Sequence, residues 1–192
     1  QRAVNEAVSA FGGLDLVCCN AGIFPTNKLD DLPLKELQDV LGVNLIGTMV
    51  MVKAALPQLR KSKCGRVVVT SSITGAITAI PEMTSYAASK AGQLGFVRSA
   101  ALELASAGIT VNAILPGNIL TEGLESLGQD YAEAQARTIP VGKLGQDSDI
   151  GNAAAFFCSP THNFIPGPAL VLERVRILPE SAAGPAAAGW DS

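Results

Sequence analysis

Apolar positions along the chain alternate between short solid blocks and long stretches at helical spacing. "LDLVCC" (14–19) is a short apolar run that stops at Asn-Ala-Gly, and "GRVVVT" (65–70) is a β-branched run bounded by turn residues. "ITVNAILPG" (109–117) closes on Pro-Gly, and "ALVLERV" (169–175) supplies a last strand. Between these blocks the pattern turns helical. Residues 34–61 form one such stretch, which Pro57 is expected to kink or end. Residues 84–108 form a second, stopped by Gly108. Residues 147–160 form a third, with Asp or Ser near its start and Pro behind it. Strands that are apolar on both faces belong in a parallel sheet covered by helices on each side. The pattern therefore predicts an α/β, doubly wound parallel sheet. One domain is expected over 1–178, followed by a disordered Ala/Gly/Pro-rich tail over 179–192.

Composition narrows the function classes. With 48% hydrophobic and 16% charged residues, a chain of 192 residues can bury a core. A formal net charge of -3 argues against a protein built to coat nucleic acid. The one basic cluster, Arg60, Lys61, Lys63 and Arg66, reads as a charged helix end and loop. No uninterrupted apolar run spans a bilayer, and the N-terminal stretch lacks the order of a signal peptide, so no membrane partner is expected. The four cysteines show no C-x-x-C spacing, which favours buried reduced thiols in a cytoplasmic protein over zinc or disulfides. The single histidine, His162, stands near no other candidate in sequence. That counts against a Ser-His-Asp hydrolase or a multi-histidine metal site.

Candidate chemistry gathers where the strands end. Asn20-Ala21-Gly22, Ser71-Ser72 and Pro116-Gly117-Asn118 each follow a predicted strand. Ligands of open parallel sheets bind beyond the carboxyl ends of the strands, so adjacent strands would bring the three segments to one crevice. Each alone is also an ordinary turn. Tyr86 and Lys90 lie four apart on a helix and share a face, where an ammonium favours the phenolate and lowers the tyrosine pKa. The small residues around them, Ala87, Ala88, Ala91, Gly92 and Gly95, equally suit tight helix packing. Asn44 sits inside an apolar helical run, where burial is costly without a hydrogen bond; a loop carbonyl is one available partner.

Asn20-Ala21-Gly22, Asn44, Ser72, Tyr86-x-x-x-Lys90 and Pro116-Gly117, in this order, resemble the short-chain dehydrogenase/reductase family. Within it the likeness is greatest to the β-ketoacyl carrier protein reductase group, over about Val4 to Leu170. The resemblance implies a Rossmann-like oxidoreductase that moves hydride between NAD or NADP and a small carbonyl or alcohol substrate. Tyr86 would be the general acid or base. Lys90 would lower its pKa and hold the nicotinamide ribose. Ser72, preferred to Ser71 because it stands three before Gly75, would bind the substrate oxygen. Asn44 would hold a water. Asn20, Ala21 and Gly22 would line the adenosine–ribose side. Pro116, Gly117, Ile119 and Thr121 would hold the nicotinamide end. Residues 118–145 would form a substrate lid with Leu124, Leu127 and Tyr131 as apolar cover. Family likeness also implies homodimers or homotetramers through helices 34–61 and 84–108.

Two departures stand beside the likeness. The family's Gly-x-x-x-Gly-x-Gly phosphate loop is absent from this sequence, which opens in a helix preceding the family's fourth strand, so the N-terminal strands of the fold are expected to be missing. "LERVRILPE" (172–180) replaces the usual Asp-Gly-Gly after the last strand. These departures leave a second reading open: a shortened, catalytically silent relative that docks onto full-length ones.

Overall fold

The computed structural model describes residues 1–125, 128–162 and 167–173. Helix α1 (Arg2–Phe11) buries Val4 and ends at Gly12, whose left-handed φ of 80° lets its N–H return to Val8 O. Strand β1 (Leu16–Cys19) follows. The chain then runs through a short 3₁₀ turn (Leu29–Asp31) into α2 (Leu34–Val40), a π-helical turn (Leu41–Ile46) and α3 (Gly47–Leu59). Strand β2 (Arg66–Thr70), helix α4 (Thr84–Leu104) and strand β3 (Thr110–Pro116) complete the centre. Beyond it lie β4 (Ile119–Leu120), α5 (Glu122–Glu125), α6 (Gln129–Arg137), β5 (Gly145–Gln146), α7 (Asp147–Cys158) and β6 (Ala169–Leu172).

The sheet order is β1-β2-β3-β6, and every pairing is parallel. Its register sets which helices cover which residues. Cys19, Val69 and Ala113 stand side by side across three strands and join the larger core, where Val52, Ala55 and Leu59 of α3 and Val97, Ala101 and Leu104 of α4 pack. Val68 and Ile114 face the other way, onto Ala153 and Phe157 of α7. The expected doubly wound sheet is therefore present. β1, expected to be apolar and buried on both faces, is covered on one: Val17 and Cys19 are buried while Leu16 and Cys18 are exposed.

Several local expectations are corrected. Residues 34–59 form one continuous helical path, but with a π turn at its centre, and Pro57 lies within the last turn of α3 instead of breaking it. This path is long and apolar enough, by length and composition, to cross a membrane. Its Val40, Val52, Ala55 and Leu59 are instead buried in the domain. Helix α4 stops at Leu104, and a 3₁₀ turn (Ala105–Ala107) carries the chain to Gly108. Helix α7 is capped by a reciprocal pair between Gln146 and Asp149, one residue before the expected start. β6 ends at Leu172, and Glu173, expected to continue it, is outside the strand. Arg174 and Val175, like Leu127 and the tail over 179–192, lie outside the described residues. Arg66, read as part of a solvated basic cluster, is 1% exposed on β2. Of the four thiols only Cys19 is buried; none forms a disulfide.

The loop between β2 and α4 is pinned at Gly75. Its φ is +90°, and a Cβ there would stand 2.2 Å from Ala87 O, a backbone atom of α4 that cannot step aside. Gly75 also donates its N–H to Thr78 O at 2.8 Å. Gly75→Ala is expected to cost at least about 1–3 kcal/mol, the range of a single backbone misfit. A urea unfolding curve checks it, and an unchanged midpoint would contradict the packing.

Candidate active site

The three strand ends predicted to share a crevice belong to adjacent strands, β1, β2 and β3. At the end of β1, Asn20, Ala21 and Gly22 are exposed. The next residue, Ile23, is gripped through its backbone. Its N–H donates to Asn44 Oδ1 at 2.8 Å, and its carbonyl accepts from Asn44 Nδ2 at 2.9 Å. Asn44 is fully buried, so the loop-carbonyl partner left open by the sequence is realised. Its Nδ2 also donates to Ser89 Oγ at 3.0 Å, and that hydroxyl donates to Tyr86 O at 2.7 Å. A Cβ on Gly22 would meet Asn44 Oδ1 at 3.3 Å and Lys90 Nζ at 3.7 Å. The bare backbone of Gly22 thus lies directly over both side chains.

The end of β2 meets the first turns of α4. Lys90 is 4% exposed, and its Nζ donates to Thr70 O at 2.7 Å. Ser71 turns into the helix, donating to Lys90 O at 2.8 Å. Ser72, the other hydroxyl of the pair, stands beside the Tyr86 phenol and draws its pKa down. Its oxygen also accepts from Thr74 N at 3.1 Å. Ser72, Tyr86 and Lys90 are therefore one cluster.

Burial governs the protonation of this cluster. It pushes the Tyr86 phenol above its ordinary value of 10.0, with the neighbouring Ser72 hydroxyl pulling the other way. The sequence expectation of a phenol lowered by a neighbouring ammonium is thus not met. The geometry gives the reason: Lys90 Nζ lies over the face of the Tyr86 ring, 5.5 Å from its centroid, and is turned toward Thr70. Desolvation also lowers Lys90 from 10.5 to about 8.

The third strand end is near but engaged differently. Pro116 O accepts from Ile73 N at 3.1 Å, which ties the end of β3 to the loop carrying Ser72. Gly117 donates to Leu172 O at 2.9 Å. Ile119 packs over Gly145, and Thr121 is exposed with its hydroxyl accepting from Leu124 N at 3.3 Å. A cavity of about 260 Å³, lined in part by Asn118, Ile119, Ile139, Gly145 and Leu172, lies in this region; Ser72, Tyr86 and Lys90 are not among its lining residues. His162 is remote in role as well as sequence, its Nδ1 sharing a hydrogen bond with Phe156 O at 2.8 Å. Among the described residues no cluster of His, Cys, Asp or Glu is set to hold a metal.

The sequence reading missed several participants. Phe24, 66% exposed, sets its ring edge-on to Tyr86 at 6.3 Å between centroids. Asn27 N–H donates to Glu82 O at 2.9 Å, joining the loop after β1 to the loop before α4. Ser89 and Gln93 carried a readable signal: both are polar, and both share the helix face of Tyr86 and Lys90.

Fold and site together define a Rossmann-like α/β domain with a serine–tyrosine–lysine centre at the carboxyl edge of its sheet. The sequence profile described as enoyl-(acyl carrier protein) reductase matches residues 1–173. The chain belongs to the short-chain dehydrogenase/reductase family. It is 40% identical over 164 residues to the 3-oxoacyl-[acyl-carrier-protein] reductase FabG of Staphylococcus aureus, covering 85% of this chain and 66% of that protein. It is 36% identical over 170 residues to the enzyme of the same name from Vibrio cholerae, covering 88% and 69%. The chain thus spans just under two thirds of the staphylococcal relative's length. Among solved structures, NADP-bound ElxO superposes with a TM-score of 0.84 at 31% identity, over 92% of this chain and 72% of that one. Levodione reductase does so at 0.84 and 28%, over 92% and 71%.

The depressed Lys90 pKa carries a sign that can be checked. Between about 8 and 10.5 the unfolded chain holds a proton that the folded lysine has released. Stability from this group therefore rises with pH across that window and is flat below it. Lys90→Met is expected to remove this rising limb from a plot of urea midpoint against pH. The same slope in both proteins would show that Lys90 is not desolvated.

Proposed function

We propose that this protein is an NAD- or NADP-dependent oxidoreductase that interconverts a carbonyl and an alcohol on a small molecule, with a 3-oxoacyl compound as the favoured substrate class. The single observation behind this reading is the gathering of Ser72, Tyr86 and a buried Lys90 at the sheet's carboxyl edge. The substrate class draws on the names of the curated relatives. The NADP-bound structure of ElxO supports the cofactor class.

The residues present fit the nicotinamide–ribose part of such a cofactor. Lys90 has one carbonyl partner and two further N–H donors, suited to ribose hydroxyls. Gly22 offers bare backbone where a side chain would press on Asn44 Oδ1 and touch Lys90 Nζ. Asn20 and Ala21 extend that strip, and Pro116, Gly117, Ile119 and Thr121 are assigned to the nicotinamide end. When bound, NAD or NADP supplies or removes hydride.

The protein's own part is to place and move a proton. Tyr86 gives its phenolic proton to the carbonyl oxygen, or takes it back from the alcohol. Ser72 donates to the same oxygen and steadies the charge that grows there. A phenol held high by burial stays protonated at neutral pH and so is ready as an acid. Lys90, ionised below about pH 8, is assigned to hold the nicotinamide ribose beside the phenol. Asn44 is assigned to hold a water on the proton path; its amide holds the Ile23 loop. Phe24 and the exposed Ile77 and Ile80 give the substrate an apolar approach.

We assign the chain to homodimers or homotetramers through helices 34–61 and 84–108. The supporting observation is an exposed apolar stripe, Val43, Ile46 and Val50, spaced to share one helix face. Four free thiols suit a reducing compartment such as the cytoplasm.

Tyr86→Phe is expected to lower kcat/KM for reduction of a 3-oxoacyl thioester by about 10²–10⁴-fold. Turnover equal to the parent's would refute the assignment of Tyr86. Val50→Glu is expected to shift the species seen in sedimentation toward the monomer, and an unchanged distribution would remove the stripe from the interface.

A further inference from the structure

Gln93 is fully buried on the face of α4 that carries Tyr86, Ser89 and Lys90. Its Nε2 donates to Asn44 O at 2.7 Å and to Thr48 Oγ1 at 3.0 Å. The Thr48 hydroxyl in turn donates to the same Asn44 O at 2.7 Å. Two side chains therefore converge on one carbonyl, and that carbonyl lies in the π-helical turn of residues 41–46. Such turns displace the carbonyls of a helix from their usual partners and place a side chain where a regular helix would not. Only a donor can face a carbonyl oxygen, so the amide orientation of Gln93 is fixed, and its Oε1 is left buried without a hydrogen-bond partner among the described residues. For packing alone, a methionine would fill the same space with no buried acceptor to desolvate.

We infer that Gln93 is the positioning residue of this site: by holding the Asn44 carbonyl it fixes the π turn, and thereby aims the Asn44 amide at the backbone of Ile23. The inference builds on the oxidoreductase reading, because the loop it places, residues 20–24, is the one assigned to the cofactor. Gln93 touches none of the reacting groups; it acts through Asn44. The sequence of contacts is short and continuous: Gln93 to Asn44 O, Asn44 to both backbone groups of Ile23, and Phe24 onto the Tyr86 ring. Asn44 also reaches Tyr86 by a second route, through Ser89.

The test is amide hydrogen exchange at Ile23 in Gln93→Met, read against core amides of β2 and β3, with reduced-nicotinamide fluorescence titrated in parallel. Ile23 is expected to lose protection by about three- to ten-fold beyond any loss at Val67 and Val111, the span of one neutral hydrogen bond. The Kd for NADH or NADPH is expected to rise by a similar factor, and this effect is expected to vanish in an Asn44→Ala background because both changes act on one contact. Equal loss of protection at Ile23 and in the core would mean Gln93 only stabilises the fold, and would overturn the inference. Additive effects of Gln93→Met and Asn44→Ala would overturn it as well. Should Gln93→Met not fold, Thr48→Val removes the hydroxyl that steadies the Gln93 amide. It is expected to move Ile23 exchange in the same direction; no change there would count against the inference. A response of Ile23 exchange in a protein that binds neither nicotinamide would leave the positioning role standing and remove the oxidoreductase reading.

Discussion

Two hydrogen bonds between the Asn44 amide and the backbone of Ile23 join segments that the chain keeps far apart. Residues 20–33 leave the end of β1 as a long connection with little regular structure, and such a segment has no reason of its own to lie against α4. The amide gives it one. Because Asn44 is excluded from solvent, breaking the pair would leave several polar groups unpaired at once, so the contact is held more firmly than a surface hydrogen bond. Everything above it inherits that placement. Gly22 comes to rest over Lys90, Phe24 reaches the Tyr86 ring, and Asn27 is brought to Glu82.

The same burial makes the centre electrostatically awkward, and the awkwardness suits its chemistry. A lysine with one carbonyl for company and a phenol raised above its ordinary value are both poor choices for stability. Burial brings Lys90 toward neutrality and moves Tyr86 away from it, so the phenol keeps the proton that a general acid has to give. Helix spacing alone gave the wrong sign for Tyr86. An i to i+4 relation brings two side chains to one face but does not say where a long, flexible side chain ends. Lys90 ends at the Thr70 carbonyl, with its charge over the aromatic face.

Much of the architecture was legible because it rests on period. Solid β-branched runs and helical stretches placed four parallel strands and the helices between them, and the polar residues after β1, β2 and β3 did fall at one edge. What escaped was decided by geometry that no period encodes. The π turn has the same spacing of apolar residues as the helix on either side of it, so only the oddly placed Asn44 hinted at it. Arg66 looked like one more charge of a helix end and loop, yet in the strand expected over 65–70 it is buried. The short β4–β5 pair is two residues long on each side, too short for alternation to register. Gln93 was passed over because a lone glutamine on a helix is ordinarily a surface residue.

The loop between Ser72 and Tyr86 is suspended at two points. Near one end Gly75 is pressed against Ala87, and near the other Glu82 is tied to Asn27. Between them Ile77 and Ile80 stand in the open, held by neither anchor. The catalytic spacing and the apolar lip are thus written in separate residues of one loop. The side chains of Ile77 and Ile80 can therefore change without touching either anchor. The fold in this way separates the part of the loop that can be inherited unchanged from the part that can diversify.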